Sequence, residues 1–284
     1  MTMVRPRLDA LAVRRTLRAA GLRPQHGRSQ NFLADPDVLE AILEVADPTP
    51  GTRVLEIGPG LGILTRGLLE AGALVTAIEL DLGLAAYLRS ELGPALASGS
   101  LRLIEGDALD QDLGTVVTAP FDVVANIPYH VTSPILHRLL DAAPRPRRIV
   151  LMVQAEVADR VAAPPGRMSY LSVFVQYHAS VRVALRVPPE AFEPAPKVAS
   201  AVIVIEPYAT TALPAAREPD LWRLVQAGFR ERRKMLRNVL ARQLPHLGTG
   251  GRLDEALATA GIEGDRRPQT LSVDDWLRLF ELLG

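Results

Sequence analysis

Apolar positions along the first two thirds of the chain recur in two different periods, and the two alternate. Short apolar runs of strand length fall at 53–58, 73–79, 101–105, 121–125 and 148–153. Between them lie stretches with helical spacing at 63–69, 82–92 and 131–140, with another from Gln154 to about Ala163. Strand-length runs separated by helical patterns predict βαβ units and a parallel sheet. Right-handed crossovers then carry the C-terminal ends of these strands to one edge, where open α/β sheets bind ligands.

The flanks follow other patterns. Residues 8–20 read as a helix stopped by Gly21, and Asp35-Pro36 opens a second helix to about Ala46, with Asp as N-cap and Pro in the first turn. Val38, Leu39, Ile42, Leu43 and Val45 give that helix a broad apolar face. Segments 170–177 and 199–205 look strand-like and predict an antiparallel pair closing the sheet. Pro188, Pro189, Pro194 and Pro196 keep the connection between them from being a regular helix. Beyond a proline-bounded linker the patterns are helical only, at 221–243, 253–260 and 273–283. The expected organisation is an N-terminal basic extension (1–24), an α/β domain (25–207), a linker (208–219) and a small α-helical domain (220–284).

Composition narrows this picture in three ways. The 284 residues include no cysteine, which excludes disulfides and thiolate metal sites, and no metal centre is expected. No apolar run is long enough to span a bilayer, and the Arg-rich N-terminus lacks the apolar block of a secretory signal, so the expected location is cytoplasmic with no membrane partner. The formal net charge of zero hides a segregation. Residues 1–30 hold seven Arg and one Asp, residues 31–122 hold four Arg and fifteen acidic residues, and the remainder holds 21 basic and 16 acidic residues. Such asymmetry points to a polyanionic partner, although solvated helix faces produce it too.

Candidate chemistry collects at the strand ends. Gly58, Gly60 and Gly62 lie where the first strand turns into its helix, and glycines there let a ligand approach the backbone and the helix N-terminus. The third glycine comes one residue earlier than in the dinucleotide fingerprint, where Ile63 stands instead. Glu79 ends the second strand, placed to accept ribose hydroxyl protons. Asp107 follows the third strand, placed to accept from an adenine amine. Asn126-Ile127-Pro128-Tyr129 ends the fourth. An ordinary strand-to-helix turn uses the same residue types. Three consecutive strand ends that each offer a carboxylate or amide to one edge favour a ligand site, because such groups are costly to bury without partners.

With these residues in view, the chain resembles the S-adenosylmethionine-dependent ribosomal RNA adenine N6,N6-dimethyltransferases, in particular the small-subunit branch. The resemblance spans roughly Gln25 to the C-terminus. It rests on motifs at 30–33, 54–62, 77–81, 106–108, 126–129, 187–192, 196–200 and 229–238. It implies a Rossmann-like methyltransferase sheet, mostly parallel with one antiparallel strand, followed by a helical RNA-contacting domain. By position, Asn31, Leu33, Gly58, Gly60, Glu79, Asp107, Ala108 and Asn126 would contact S-adenosyl-L-methionine. Asn126, Ile127, Pro128 and Tyr129 would form the catalytic strip facing the target adenine. The basic stretch 230–237, expected to be helical, offers Arg230, Arg232, Arg233, Lys234 and Arg237 to RNA phosphates. The implied reaction is dimethylation of two adjacent adenosines near the 3′ end of 16S rRNA, within the 30S subunit or its precursor, by a monomeric enzyme. A large-subunit rRNA dimethyltransferase and an RNA-binding assembly factor with incidental methylation are the alternatives. A nicotinamide oxidoreductase is disfavoured by Ile63.

Overall fold

The alternation of periods becomes a seven-stranded sheet with helices packed on it. The computed structural model describes residues 8–24, 30–128, 131–247 and 251–283. Within them the strands are β1 (Phe32–Leu33), β2 (Arg53–Ile57), β3 (Leu74–Glu79), β4 (Leu101–Glu105), β5 (Asp122–Asn126), β6 (Arg148–Gln154), β7 (Ala179–Val187), β8 (Phe192–Glu193) and β9 (Ser200–Pro207). The large sheet has the order β4-β3-β2-β5-β6-β9-β7, and β1 pairs separately with β8. Strands β2 to β6 pair in parallel, while β9 runs antiparallel against β6, with Met152 opposite Val202. The strand order reverses direction between β2 and β5, which makes their C-terminal ends the topological switch point of the sheet.

Local chemistry sets the helix starts. The Asp35 carboxylate accepts from the amides of Asp37 and Val38 at 2.9 and 3.2 Å, with Pro36 in the first turn of helix Pro36–Ala46. Asp81 does the same for helix Leu82–Glu91, accepting from Gly83 and Leu84. Helix Ala10–Ala19 is capped by Asp9, and Gly21 follows it in the left-handed region at φ 65°. Each such cap is worth about 1 kcal/mol. Strands β5 and β6, interior to the sheet, are apolar and buried on both faces over 123–125 and 149–153, as a doubly covered parallel sheet requires.

The chain divides into two compact units, Met1–Ala158 with Arg182–Pro207, and Asp159–Val181 with Tyr208–Gly284. The first has a core that includes Val54, Leu68, Val75, Leu88, Val124, Met152 and Val202. The second packs Leu221, Val225, Leu236, Leu240, Leu257, Trp276 and Leu279 together.

Two sequence expectations fail. Segment 170–177 is not a strand but helix Tyr170–His178, and the strand is β7, inside what the prolines marked as irregular connection. The run of Tyr, Val and Phe has high β propensity, yet a helix apolar all round is a buried helix. Its start is set by a capping box: the Ser169 and Ser172 side chains each accept from the other residue's amide, at 3.2 and 2.9 Å. The basic stretch 230–237 is not a continuous helix either. Helix Glu218–Phe229 ends, Arg230–Lys234 turn, and a new helix runs Leu236–Gln243. An unbroken helix would put position 232 on the same face as Leu221, Val225 and Leu236, and would bury an arginine there. The turn instead lets Leu236 reach the core while its amide donates to the Arg266 carbonyl at 2.8 Å.

Candidate cofactor and methyl-transfer site

The ends of β2, β3, β4 and β5 open onto one cavity. Gly58, Gly60 and Gly62 follow β2 with φ of 70°, 59° and 73°, a region that L side chains rarely adopt. At Gly60 a Cβ would come within 3.2 Å of the Phe32 ring, so the loop and the Gln30–Leu33 segment press together with no room for a side chain. Gly62 is tighter, with its Cβ position 2.7 Å from Leu88 Cδ2.

Glu79 fastens this loop to β3. One carboxylate oxygen accepts from the Gly60 amide at 3.0 Å and the other from the Asp81 amide at 2.8 Å. Burial pushes the Glu79 carboxyl up from its usual range, and the amides of Asp81 and Gly60 pull it back down. Each oxygen keeps a second lone pair for a ligand hydroxyl. At the end of β4, the Gly106 amide donates to the Glu79 carbonyl and the Asp107 carboxylate accepts from the Leu109 amide, both at 2.9 Å.

At the end of β5, the Asn126 side-chain nitrogen donates to the backbone carbonyl of Asn31 at 3.4 Å. A carbonyl can only accept, so this contact settles which way the amide faces and turns Oδ1 to the opposite side. Asn31 is itself held by the strand that follows it: Leu33 pairs with Phe192, and the Ala34 amide donates to the Ala191 carbonyl at 2.7 Å.

The sequence-predicted cofactor residues Asn31, Leu33, Gly58, Gly60, Glu79, Asp107, Ala108 and Asn126 all line this cavity, together with Ile127 and Pro128 of the proposed catalytic strip. Tyr129 and its neighbour His130 lie outside the described residues. The expected RNA-contact residues separate into two groups. Arg230 hydrogen-bonds Gln243 at 3.1 Å and Arg237 is ion-paired with Asp254 at 2.7 Å, whereas exposed Arg232, Arg233 and Lys234 have no such partner among the described residues.

Several lining residues fall inside the resembling motifs but take no role of their own from the sequence: Gln30, Phe32, Leu80, Asp81, Phe192 and above all Glu56. Glu56 is 1% exposed, between Leu55 and Ile57 in the buried part of β2. Burial pushes its carboxyl up to about 8; the Thr65 hydroxyl lowers it and the Glu79 charge raises it further. A charged residue inside a buried parallel strand was the available signal.

The described lining includes four carboxyl side chains, from Glu56, Glu79, Asp81 and Asp107, and no Lys, Arg or His. That donor set repels a pyrophosphate and suits a cationic nucleoside with free ribose hydroxyls. A Rossmann-like sheet with this cavity at its switch point defines a methyltransferase that uses S-adenosylmethionine. A family model described as ribosomal RNA adenine dimethylase matches residues 23–284. Proteins called ribosomal RNA small subunit methyltransferase A are similar over most of the chain. That of Thermosynechococcus vestitus is 43% identical over 262 residues, covering 89% of this chain and 94% of that protein. That of Geobacter sulfurreducens is 40% identical over 269 residues, covering 93% and 96%. Among solved structures, the 23S rRNA methyltransferase ErmE superposes with a TM-score of 0.71 at 31% identity, over 89% of this chain and 99% of the other. A dimethyladenosine transferase from Plasmodium falciparum also reaches 0.71, at 26% identity, over 87% and 95%. The chain belongs to the ribosomal RNA adenine dimethylase family, and is an rRNA adenine dimethyltransferase.

Proposed function

We propose that the enzyme dimethylates the N6 amines of two adjacent adenosines near the 3′ end of 16S rRNA, acting on the 30S subunit or its precursor, as a cytoplasmic monomer. The observation that carries the chemistry is the orientation of Asn126. With its nitrogen given to Asn31, its Oδ1 accepts one N6 hydrogen of the target, and the Ile127 carbonyl accepts the other. The adenine amine is a poor nucleophile because its lone pair is delocalised into the ring. Two acceptors draw it toward a pyramidal state and aim it, and such positioning supplies most of the rate. No general base is required before attack, since the proton leaves a cationic product. Pro128 holds the backbone that aims both acceptors, and Tyr129 stacks on a base that has left its helix.

When bound, S-adenosylmethionine supplies an electrophilic methyl group to this strip. Glu79 would hold its ribose hydroxyls, Asp107 and Ala108 its adenine, and Asn31, Leu33, Gly58 and Gly60 the remainder. The small-subunit assignment is supported by relatives of that name at 40–43% identity. The second unit would carry the RNA contact through Arg232, Arg233 and Lys234, with Arg230 and Arg237 contributing beside their contacts to Gln243 and Asp254. The deciding experiment is methyl transfer from labelled cofactor to unmodified small subunits, followed by mapping of the modified nucleotides. Label in large-subunit RNA, or on a base other than adenine, rejects the assignment.

A further inference from the structure

We infer that Glu56 is the counter-charge for the cationic methyl donor, holding a proton in the empty cavity and releasing it as the donor enters. Three observations lead there. Glu56 Oε2 is fully buried and meets no hydrogen-bond geometry among the described residues, and the Thr65 hydroxyl, close enough to lower the carboxyl's pKa, meets none either. The side chain nevertheless lines the cofactor cavity. Among the described residues no cation balances it: the other ionisable groups lining the same cavity are Glu79, Asp81 and Asp107. Of the other elements packed on β2, β5 carries Asp122, which is bound by Arg147, and helix Ile63–Glu70 carries Arg66, which is paired with Glu91.

A buried carboxyl with an unused oxygen stays neutral until something compensates its charge. S-adenosylmethionine carries a sulfonium and an ammonium against one carboxylate, a net charge of +1, and brings that compensation with it. The proton is then displaced to solvent. Glu79 is a poorer candidate for this exchange, because two backbone amides already stabilise its ionised form. Cofactor affinity therefore rises with pH up to the point where Glu56 is ionised in the empty protein, and is level above it.

The inference rests on the cavity being the methyl-donor site, and the test separates the two. Titration calorimetry of the intact protein with S-adenosylmethionine, at pH 7 in buffers of different ionisation enthalpy, counts protons released per ligand. The wild-type protein should release close to one, and its affinity should rise about tenfold per pH unit between pH 6 and 7.5. Glu56→Gln should release about one proton fewer, lose that slope, and bind about tenfold more weakly at pH 8.5. The ligand's own α-amino group titrates near pH 8 in both proteins and cancels in the comparison. No proton release by the wild-type protein overturns the assignment without recourse to any variant, as does equal release by the two proteins. Absence of donor binding by the wild-type protein rejects the cavity as cofactor site, and the assignment with it.

Discussion

At the scale of single residues, the enzyme places two buried carboxyls at adjacent strand ends and treats them differently. Glu79 accepts from two backbone amides; Glu56 Oε2 has no hydrogen-bond partner among the described residues. A carboxyl whose folded pKa is raised stabilises the fold below its unfolded pKa, near 4.3, and loses that contribution as pH rises through the folded value, here about 8. The cofactor-free Glu56→Gln protein should accordingly gain melting temperature relative to wild type as pH goes from 6 to 9. A constant difference across that range, read by calorimetric melting, is the contrary result. Asn126→Ala should lower single-turnover methyl transfer by about 10²–10³-fold, the range seen when one oriented charge-stabilising contact is removed. Turnover within a few fold of wild type in a quench assay would remove Asn126 from the acceptor role.

At the scale of elements, glycines mark where backbones and rings meet. In helix Glu218–Phe229, a Cβ on Gly228 would stand 2.4 Å from Trp276 Cη2, and Trp276 is itself fully buried. Alanine gains up to about 1 kcal/mol in helix propensity there, but a rigid indole cannot yield, and overpacking costs about 1–3 kcal/mol. Gly228→Ala should therefore destabilise the protein, read as a lower denaturation midpoint in urea; a raised midpoint would show that the ring moves. How much was legible in the sequence follows the same logic. The parallel strands and their helices could be read because period and burial agree there, and Asp35 and Gly21 announce a cap and a stop. Helix Tyr170–His178 could not, because seven of its nine residues are buried and its near-continuous apolar run leaves too weak a period to read. Only the Ser169–Ser172 box spoke for a helix, and it was weaker than the β-branched and aromatic run after it. At the site, the strand-end residues were visible because polar groups interrupt apolar strands. The Asn126–Asn31 contact was not visible, since it joins residues 95 positions apart through a main-chain carbonyl.

At the scale of the whole molecule, charge is divided between tasks. The cavity proposed for the cationic donor carries four carboxyl side chains, while the exposed cations Arg232, Arg233 and Lys234 stand in the second unit. Replacing these three by alanine should weaken small-subunit binding and reduce the slope of log affinity against log salt by about 2–3, at roughly 0.7–0.9 for each phosphate no longer neutralised. S-adenosylmethionine affinity should stay the same. Arg237→Ala, whose guanidinium is engaged by Asp254, should have the smaller effect. An unchanged salt slope in filter binding with the triple variant would place the RNA surface elsewhere. The pairing of β1 with β8 also has a bearing on the order in which the enzyme becomes competent. Asn126 is oriented by a segment near residue 31, and that segment is seated by Ala191 and Phe192, about 160 residues further along. A chain still emerging from a ribosome has made both the asparagine and its carbonyl partner long before it has made the seat. The nascent polypeptide thus gains the pairing that seats the partner of Asn126 only once residues 191–192 have been made, when the first unit is nearly complete.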